Sequence, residues 1–182
     1  MTHLRGTIST RNDLQGAASF GSFTAPFGDV FIVWQGKTLL WLGLPQPQRD
    51  AAKLEQEVRQ WAPKLELSHD QKGAASFGEQ IIEKWRQGSI MDYRLHGTDF
   101  QKSVWKAMLA IPVGKTCTYK DIAVKIGNPA AIRAVGQAVG NNPISLLIPC
   151  HRVLPSTGGI GNYGWGAEVK KRLLEAEGAL AV

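Results

Sequence analysis

Cysteine is scarce in this sequence, with only Cys117 and Cys150 among 182 residues. Two cysteines cannot form the disulfide framework of a small secreted domain, so we expect a reducing compartment, the cytoplasm, where a thiol stays free. Long apolar runs are also lacking, which excludes a transmembrane helix and a membrane partner. Residues 1–15 are polar and lack the apolar core of a signal peptide, and we predict that they form a loose tail.

Acidic residues are in deficit, with 15 against 21 basic ones and a net charge of +6. The excess lies in residues 91–182, which hold 11 basic and 6 acidic residues, whereas residues 1–90 hold 10 and 9. Such a distribution favours an anionic partner, for example a nucleic acid. Cysteine and histidine, the usual ligands of a structural zinc, are rare in residues 1–90, which contain no cysteine and only His3 and His69. We therefore expect no structural zinc, and no motif indicates a cofactor.

Residues 1–90 are predicted to form a small α/β domain of the α+β class, with an antiparallel sheet and helices. Apolar, β-branched runs alternate with turn residues, which is typical of a meander, at residues 18–23, 30–34 and 38–42. Asp50 is placed to cap a first helix. Ser76 and Glu79 have capping-box spacing ahead of a second helix.

Two further features of this half have no functional interpretation. The hexapeptide Gly-Ala-Ala-Ser-Phe-Gly occurs at residues 16–21 and again at residues 73–78. We predict one copy as strand and the other as the start of a helix, so it is not a structural repeat. Trp61 and Trp85, on the two predicted helices, are interpreted as core residues.

Residues 88–97 are predicted as a linker to a second, mostly helical domain at residues 91–182. Thr98 begins a helix, and Thr118, with Asp121 three residues later, has capping-box spacing for the next. Asn128 followed by Pro129 is the expected start of a third helix. Three short helices separated by tight turns favour a winged helix-turn-helix domain.

The third helix carries few bulky side chains. Arg133 projects from a segment of small residues that includes Ala130, Ala134 and Gly136. Close helix packing is one explanation, and contact with a wide, flat partner is the other. A major-groove reader normally carries several polar side chains that reach the bases, so this composition argues against sequence-specific recognition.

The sequence around Cys150 carries the strongest chemical signal. Residues 144–148 are an apolar run, predicted as a short buried strand that Pro149 ends. Cys150 is followed by a base, His151, and a fixed cation, Arg152. Thiols react as thiolates, and neighbouring cations lower the pKa of a thiol, so this arrangement suits a nucleophile. An inert core thiol is the alternative. A protease-type Cys–His pair is disfavoured because its local signatures are absent.

This region resembles the O6-alkylguanine-DNA alkyltransferase family. The resemblance covers the second half of the chain, and it rests on several spaced motifs: Thr118-Tyr119, Arg133-Ala134-Val135-Gly136, Asn142-Pro143, Pro149-Cys150-His151-Arg152, Gly161-Asn162-Tyr163 and Glu177-Gly178. It implies a ribonuclease H-like N-terminal domain followed by the winged helix-turn-helix domain. It also implies that O6-alkylguanine, and O4-alkylthymine as well, is flipped out of duplex DNA and dealkylated by irreversible transfer to Cys150.

The resemblance also implies how DNA is bound. The third helix, with Ala130, Ala134 and Gly136, would enter the minor groove with low sequence specificity, and Arg133 would fill the stack left by the flipped nucleotide. Tyr119 would press on the adjacent phosphate and donate a hydrogen bond to the base. We expect a monomer in solution and leave open whether several copies bind DNA cooperatively.

The catalytic roles follow from the same resemblance. Cys150 would attack the alkyl carbon, His151 would take the thiol proton through a water, and Glu177 would orient His151. Asn142 would act as the hinge between the recognition helix and the cysteine segment. Glu177 has independent support: it lies in the last turn of a helix predicted over residues 165–177, where a carboxylate opposes the helix dipole. A functional partner would explain why it is tolerated there.

The predicted substrate pocket consists of Cys150, Val153, Tyr163, Gly164 and Trp165. The Gly164 amide would face the base O6, and the carbonyls of Cys150 and Val153 would accept from its exocyclic amine. Trp165 replaces the glycine of some family members, which predicts a tighter pocket that reacts poorly with benzylated guanine.

Two other functions compete with alkyl transfer. One is non-enzymatic binding of alkylated DNA, as in alkyltransferase-like proteins, which share the flipping residues but lack the cysteine. The other is transcription regulation by a winged-helix protein. The presence of Cys150 disfavours the first, and the sparse third helix disfavours the second. Cys117 has no neighbouring base or cation in the sequence and is interpreted as structural.

Overall fold

The computed structural model describes residues 6–9, 14–89 and 91–180. It has a mixed α/β architecture in which a six-stranded sheet, in the order β1-β6-β4-β3-β2-β5, is followed by helices around a short parallel strand pair. Its strands are β1 (Gly6–Ser9), β2 (Gly16–Ala25), β3 (Gly28–Gln35), β4 (Thr38–Gly43), β5 (Leu65–His69), β6 (Tyr93–His96), β7 (Cys117–Thr118) and β8 (Val153–Leu154). Its helices are α1 (Ala51–Trp61), α2 (Gln71–Arg86), α3 (Asp99–Leu109), α4 (Tyr119–Lys125), α5 (Ile132–Gly140) and α6 (Ala167–Ala176).

The predicted antiparallel meander is confirmed as strands β2, β3 and β4. The rest of the sheet is parallel, because β5 pairs with β2, and β6 pairs with both β4 and β1. The prediction of a loose tail is wrong at Gly6–Ser9, which forms β1, and at Leu14, which is buried in the core. Residues 1–5 and 10–13 lie outside the described residues, so the rest of that prediction stays open.

The predicted linker at residues 88–97 contains a strand. Tyr93–His96 forms β6, whose Tyr93 and Leu95 are buried, so the N-terminal sheet extends past the predicted boundary at residue 90. The linker prediction failed because four residues that alternate between apolar and polar carry little signal on their own. These residues form a strand because they pair with residues more than 50 positions earlier in the chain, namely Leu39 in β4 and the residues of β1.

Helix α1 begins where expected, with the Asp50 carboxylate accepting from the Lys53 amide at 2.9 Å. Helix α2 begins earlier than predicted, because Asp70 caps it by accepting from the Gly73 amide at 2.8 Å. Ser76 and Glu79 therefore lie inside the helix and form no capping box. Small residues at the start of α2 allow it to lie close to β2: a Cβ at Gly21 would be 2.7 Å from that of Ala74.

The two identical hexapeptides therefore adopt different structures and touch each other. Residues 16–21 begin strand β2, and residues 73–78 lie within helix α2, which packs on that strand. Farther along, a Cβ at Gly78 would overlap the ring of Phe23 in β2. Gly21 and Gly78 thus allow close contact between strand β2 and helix α2.

The helices that follow the sheet match the predictions in part. Thr98 and Thr118 both form the capping box at the starts of α3 and α4, the latter with Asp121 as predicted. Helix α5, however, begins at Ile132 rather than after Asn128, and its N-cap residue makes no side-chain hydrogen bond. Asn128 is instead used by the end of α4, because its amide donates to the Ala123 carbonyl at 2.9 Å, the long-range bond of a Schellman motif.

The apolar run at residues 144–148 is buried as predicted, but it is not a strand. Ile144 forms an isolated bridge with Leu42 of β4, and the residues after it form turns, with Leu146 at φ 72°. Strand formation fails because prolines on both sides and a local bond from the Ile148 amide to the Ile144 carbonyl, at 3.0 Å, curl the segment. The bridge to Leu42 fixes the cysteine segment on the N-terminal sheet.

No helix in the described part of the chain combines the length and the apolar character needed to cross a bilayer.

Candidate active site

Cys150 is buried at the start of a single 3₁₀ turn, Cys150–Arg152, directly after the curled apolar segment. Its Sγ lies 3.4 Å from the Tyr163 hydroxyl and 3.9 Å from the Ser145 Oγ. The thiol faces a cavity of about 510 Å³. Seven predicted site residues line this cavity: Tyr119, Gly136, Asn142, Cys150, Tyr163, Gly164 and Trp165.

Asn142 ties the end of α5 to the cysteine segment. Its buried side chain donates to the Ile148 carbonyl at 2.7 Å and accepts from the Ile144 amide at 3.0 Å. Both bonds close the curled segment that presents Cys150, so the side chain is placed as a hinge residue would need to be.

His151 points away from solvent and toward Glu177. Its Nε2 lies 2.9 Å from Glu177 Oε1, and both side chains are almost completely buried. A carboxylate accepts only, so Nε2 carries the proton and Nδ1 presents a lone pair. Nδ1 is buried and bonds to no atom in the described part of the chain. Burial lowers the pKa of His151, although Glu177 opposes that shift, so the ring is poised as a neutral base.

Glu177 is the most heavily hydrogen-bonded group of the site. It accepts from Arg152 Nε at 2.7 Å, Arg152 Nη2 at 2.8 Å and Trp85 Nε1 at 2.6 Å, besides its bond to His151. Burial would raise the pKa of this carboxyl, but the donors from His151 and Arg152 lower it to about 2. The carboxylate is therefore ionised at any physiological pH.

Arg152 does not serve the thiol in the way its sequence position suggested. Its guanidinium is held by Glu177 and by the Ile111 carbonyl, which accepts from Nη1 at 2.6 Å. Its charge is balanced by the carboxylate, and its positive charge also acts on His151, where it adds to the lowering of the pKa.

Val153 and Lys170 form a second buried polar contact beside the cavity. Lys170 is fully buried, and its Nζ donates to the Val153 carbonyl at 2.8 Å. That carbonyl was predicted to bind the base, and one of its two lone pairs is already used. Burial lowers the pKa of Lys170 to about 8, against an opposing effect of Cys150. Nothing in the sequence marked this lysine, because charged residues on α6 otherwise face solvent.

Trp165 belongs to both the cavity and the interface with the sheet. Its Nε1 donates to the Ser145 Oγ at 2.7 Å, and its ring meets that of Trp41 edge-on at 5.9 Å. The guanidinium of Arg49 lies 4.3 Å from the Trp165 ring. Together with Glu57 and Trp61, the sheet-domain residues Trp41 and Arg49 form one wall of the cavity. Sequence reasoning missed this wall, because its residues look like ordinary core and surface positions.

The predicted DNA-contacting residues divide into two groups. Arg133 and Ala134 are exposed on α5, and Ala130 is exposed in the turn before it. Tyr119 and Gly136 instead face the cavity, and burial followed by the influence of Cys150 raises the pKa of Tyr119. Cys117 is half-buried, and burial raises the pKa of its thiol to about 11, in keeping with a structural role.

No cluster of three or more His, Cys, Asp or Glu residues suited to a metal ion occurs within residues 6–9, 14–89 and 91–180. His3 lies outside those residues.

The site contains a buried thiol, a histidine whose pKa is lowered by burial, and an ionised carboxylate that accepts from this histidine, and these are the groups that chemistry with a cysteine nucleophile requires. A family model described as "6-O-methylguanine DNA methyltransferase, DNA binding domain" matches residues 99–179. A methylated-DNA--protein-cysteine methyltransferase of Mycobacterium bovis is 35% identical over 162 residues, which cover 87% of this chain and 91% of that protein. One from Methanosarcina barkeri is 50% identical over 100 residues, covering 53% of this chain but 63% of the relative.

The fold agrees with a solved structure. The crystal structure of Mycobacterium tuberculosis OGT in complex with DNA matches with a TM-score of 0.69 and 34% identity, over 90% of this chain and 93% of that one. The chain belongs to the methylated-DNA--protein-cysteine methyltransferase family and is an enzyme of that class.

Proposed function

We propose that this protein repairs DNA by flipping O6-alkylguanine out of the duplex and moving its alkyl group irreversibly to Cys150. The observation that carries the proposal is the buried Cys150 thiol, which faces a cavity of about 510 Å³ and is followed in the chain by His151, whose buried ring contacts the Glu177 carboxylate. O4-alkylthymine carries the same alkyl–oxygen bond and is proposed as a second substrate.

The chemistry is a displacement at the alkyl carbon. The Cys150 proton passes through a water to His151 Nδ1, whose buried lone pair has no partner among the described protein atoms. The sulfur then forms a bond to the alkyl carbon as the carbon–O6 bond breaks, and guanine takes the electron pair. The family resemblance assigns Tyr119 as the donor to the departing base, and Gly164 as the amide facing O6. The thioether product is stable, so each molecule acts once.

The DNA-bound arrangement is part of the same proposal. Helices α3 to α5 would serve as a winged helix-turn-helix, with α5 in the minor groove and Arg133 in the vacated stack. The exposed, small surface at Ala130 and Ala134 supports close approach to a groove wall. Phosphate contacts carry no sequence information, so binding should depend on salt but little on sequence. The sheet domain would be ribonuclease H-like, and the protein would act as a monomer.

The test is the mass of the intact protein after incubation with a duplex that contains one O6-methylguanine, with Cys150→Ala in parallel. Wild type should gain the mass of one methylene per molecule and then stop, and the variant should gain none. A second duplex containing O4-methylthymine tests the second substrate. Tight binding to the damaged duplex without a mass gain would refute alkyl transfer and identify a non-enzymatic damage-binding protein.

A further inference from the structure

The indole of Trp85 contacts the buried carboxylate behind His151. Trp85 lies in the last turn of α2, 92 residues before Glu177, and its Nε1 donates to Glu177 Oε1 at 2.6 Å. We propose that Trp85 is a positioning residue, through which the N-terminal sheet domain sets the position and proton affinity of the catalytic His151–Glu177 pair. This inference rests on the proposed alkyl transfer.

Glu177 needs an anchor outside its own helix. It is the C-cap of α6, and Gly178 after it has a φ of 69°, so its backbone leaves the helix at this point. Trp85, by contrast, is rigidly held. It is buried in the core, and its ring meets Phe27 edge-on at 5.2 Å. The rigidly held indole of Trp85 therefore fixes the Glu177 carboxylate, which lies at the end of α6.

The donors around Oε1 compete with one another. Oε1 accepts from Trp85, His151 and Arg152 Nη2, whereas Oε2 accepts from Arg152 Nε. A carboxylate oxygen has two lone pairs, so three donors share them. The Trp85 bond therefore reduces the pull of Oε1 on the His151 proton and confines the carboxylate to one orientation.

This competition has a signature in the pH dependence of alkyl transfer. The charged groups that act on His151 are Glu177, which favours the imidazolium, and Arg152 and Lys170, which oppose it. Removal of the Trp85 N–H strengthens the effect of Glu177, so His151 holds a proton to higher pH. Because His151 must be neutral to accept the thiol proton, the acid limb of the rate profile should move upward.

Trp85→Phe is the matched substitution, because it keeps a ring against Phe27 and removes the N–H. We expect the second-order rate constant for O6-methylguanine duplex to fall about tenfold, as for loss of a donor to a buried charge. The midpoint of the acid limb should rise by roughly half a pH unit. Trp34→Phe is the control, since Trp34 is buried to the same extent and stacks on Phe77 of the same helix at 5.5 Å.

A double-mutant cycle with Glu177→Gln tests whether Trp85 acts through Glu177. Because Glu177→Gln is itself expected to lose stability, all four proteins are compared under conditions in which each is folded. If Trp85 acts through Glu177, Trp85→Phe should cause no further loss in the Glu177→Gln background. Wild-type rate and midpoint in Trp85→Phe would overturn the inference, as would an equal loss in both backgrounds or in Trp34→Phe. Failure of the wild type to transfer an alkyl group would instead refute the proposed function, which keeps the two failures distinct.

Discussion

Replacement of Glu177 by glutamine should destabilise the protein strongly at neutral pH. The substitution keeps the size of the side chain but removes the charge that balances Arg152, whose side chain is 6% exposed. Breaking a buried ion pair in this way costs about 3–5 kcal/mol. The shift of the Glu177 pKa from 4.5 to about 2 gives a similar figure, since each pH unit corresponds to about 1.4 kcal/mol.

The pH dependence of that loss follows from the direction of the shift. The pKa of Glu177 is lower in the folded protein, so its stabilising contribution is fully present above pH 4.5 and disappears as the pH falls toward 2. The pKa of His151 is also lower in the folded protein. Stability therefore falls further as the pH drops below 6.5, where His151 takes up a proton in the unfolded chain but not in the folded one. The difference in stability between wild type and Glu177→Gln should therefore be largest at neutral pH and shrink below pH 4.5.

Urea unfolding at several pH values between 7 and 3 measures this difference. Glu55→Gln is the control, because the Glu55–Arg59 ion pair is partly exposed and such pairs contribute about 0.5 kcal/mol. A decrease in the free energy of unfolding of less than about 1 kcal/mol at pH 7 in Glu177→Gln would refute the reasoning, because a buried guanidinium without a counter-charge destabilises a protein by more than that. A difference that did not shrink in acid would refute the assignment of the lowered pKa.

Three further predictions concern packing and the cavity. Gly78→Ala should destabilise the protein by about 1 kcal/mol or more, because the added Cβ would overlap the ring of Phe23. Gly140→Ala is the control and should not destabilise it, because a Cβ there would meet no other atom within 4 Å. The midpoints of urea unfolding test both. Trp165→Gly enlarges the cavity, so free O6-benzylguanine should inactivate the variant faster than wild type, and equal rates would contradict the tight pocket. Asn142→Ala removes the hydrogen bonds that the buried Ile148 carbonyl and Ile144 amide make with its side chain, so it should lower the free energy of unfolding in urea by about 2–4 kcal/mol and slow alkyl transfer. Unchanged stability would refute the role of Asn142 as a hinge residue.

Short-range features were readable from the sequence because both partners lie within a few residues. The Thr118–Asp121 capping box and the Asp50 cap are of this kind, and the structure confirms them. Adjacent Cys150 and His151 pointed to a nucleophile and a base, and the last-turn position of Glu177 indicated a carboxylate with a partner. The structure brings His151 and Glu177 together at 2.9 Å.

Long-range partners were beyond prediction. Trp85 looked like any core aromatic, and its bond to Glu177 depends on how α2 packs against the second half of the chain. The sequence position of Arg152 predicted an effect on the Cys150 thiol, but in the folded protein its guanidinium donates to the Glu177 carboxylate. Likewise, residues 93–96 became a strand only because partners in β1 and β4 were available.

The repeated hexapeptide shows where this division lies. Its composition determined that both copies could pack closely, since glycine and alanine leave room for a neighbouring backbone. Whether they formed strand or helix was decided by the tertiary structure: residues 16–21 pair with β3 and β5, whereas residues 73–78 follow the Asp70 cap into α2. The intrinsic preference of these six residues for helix or strand is too small in free energy to determine the structure. Contacts with the surrounding chain therefore determine which one forms.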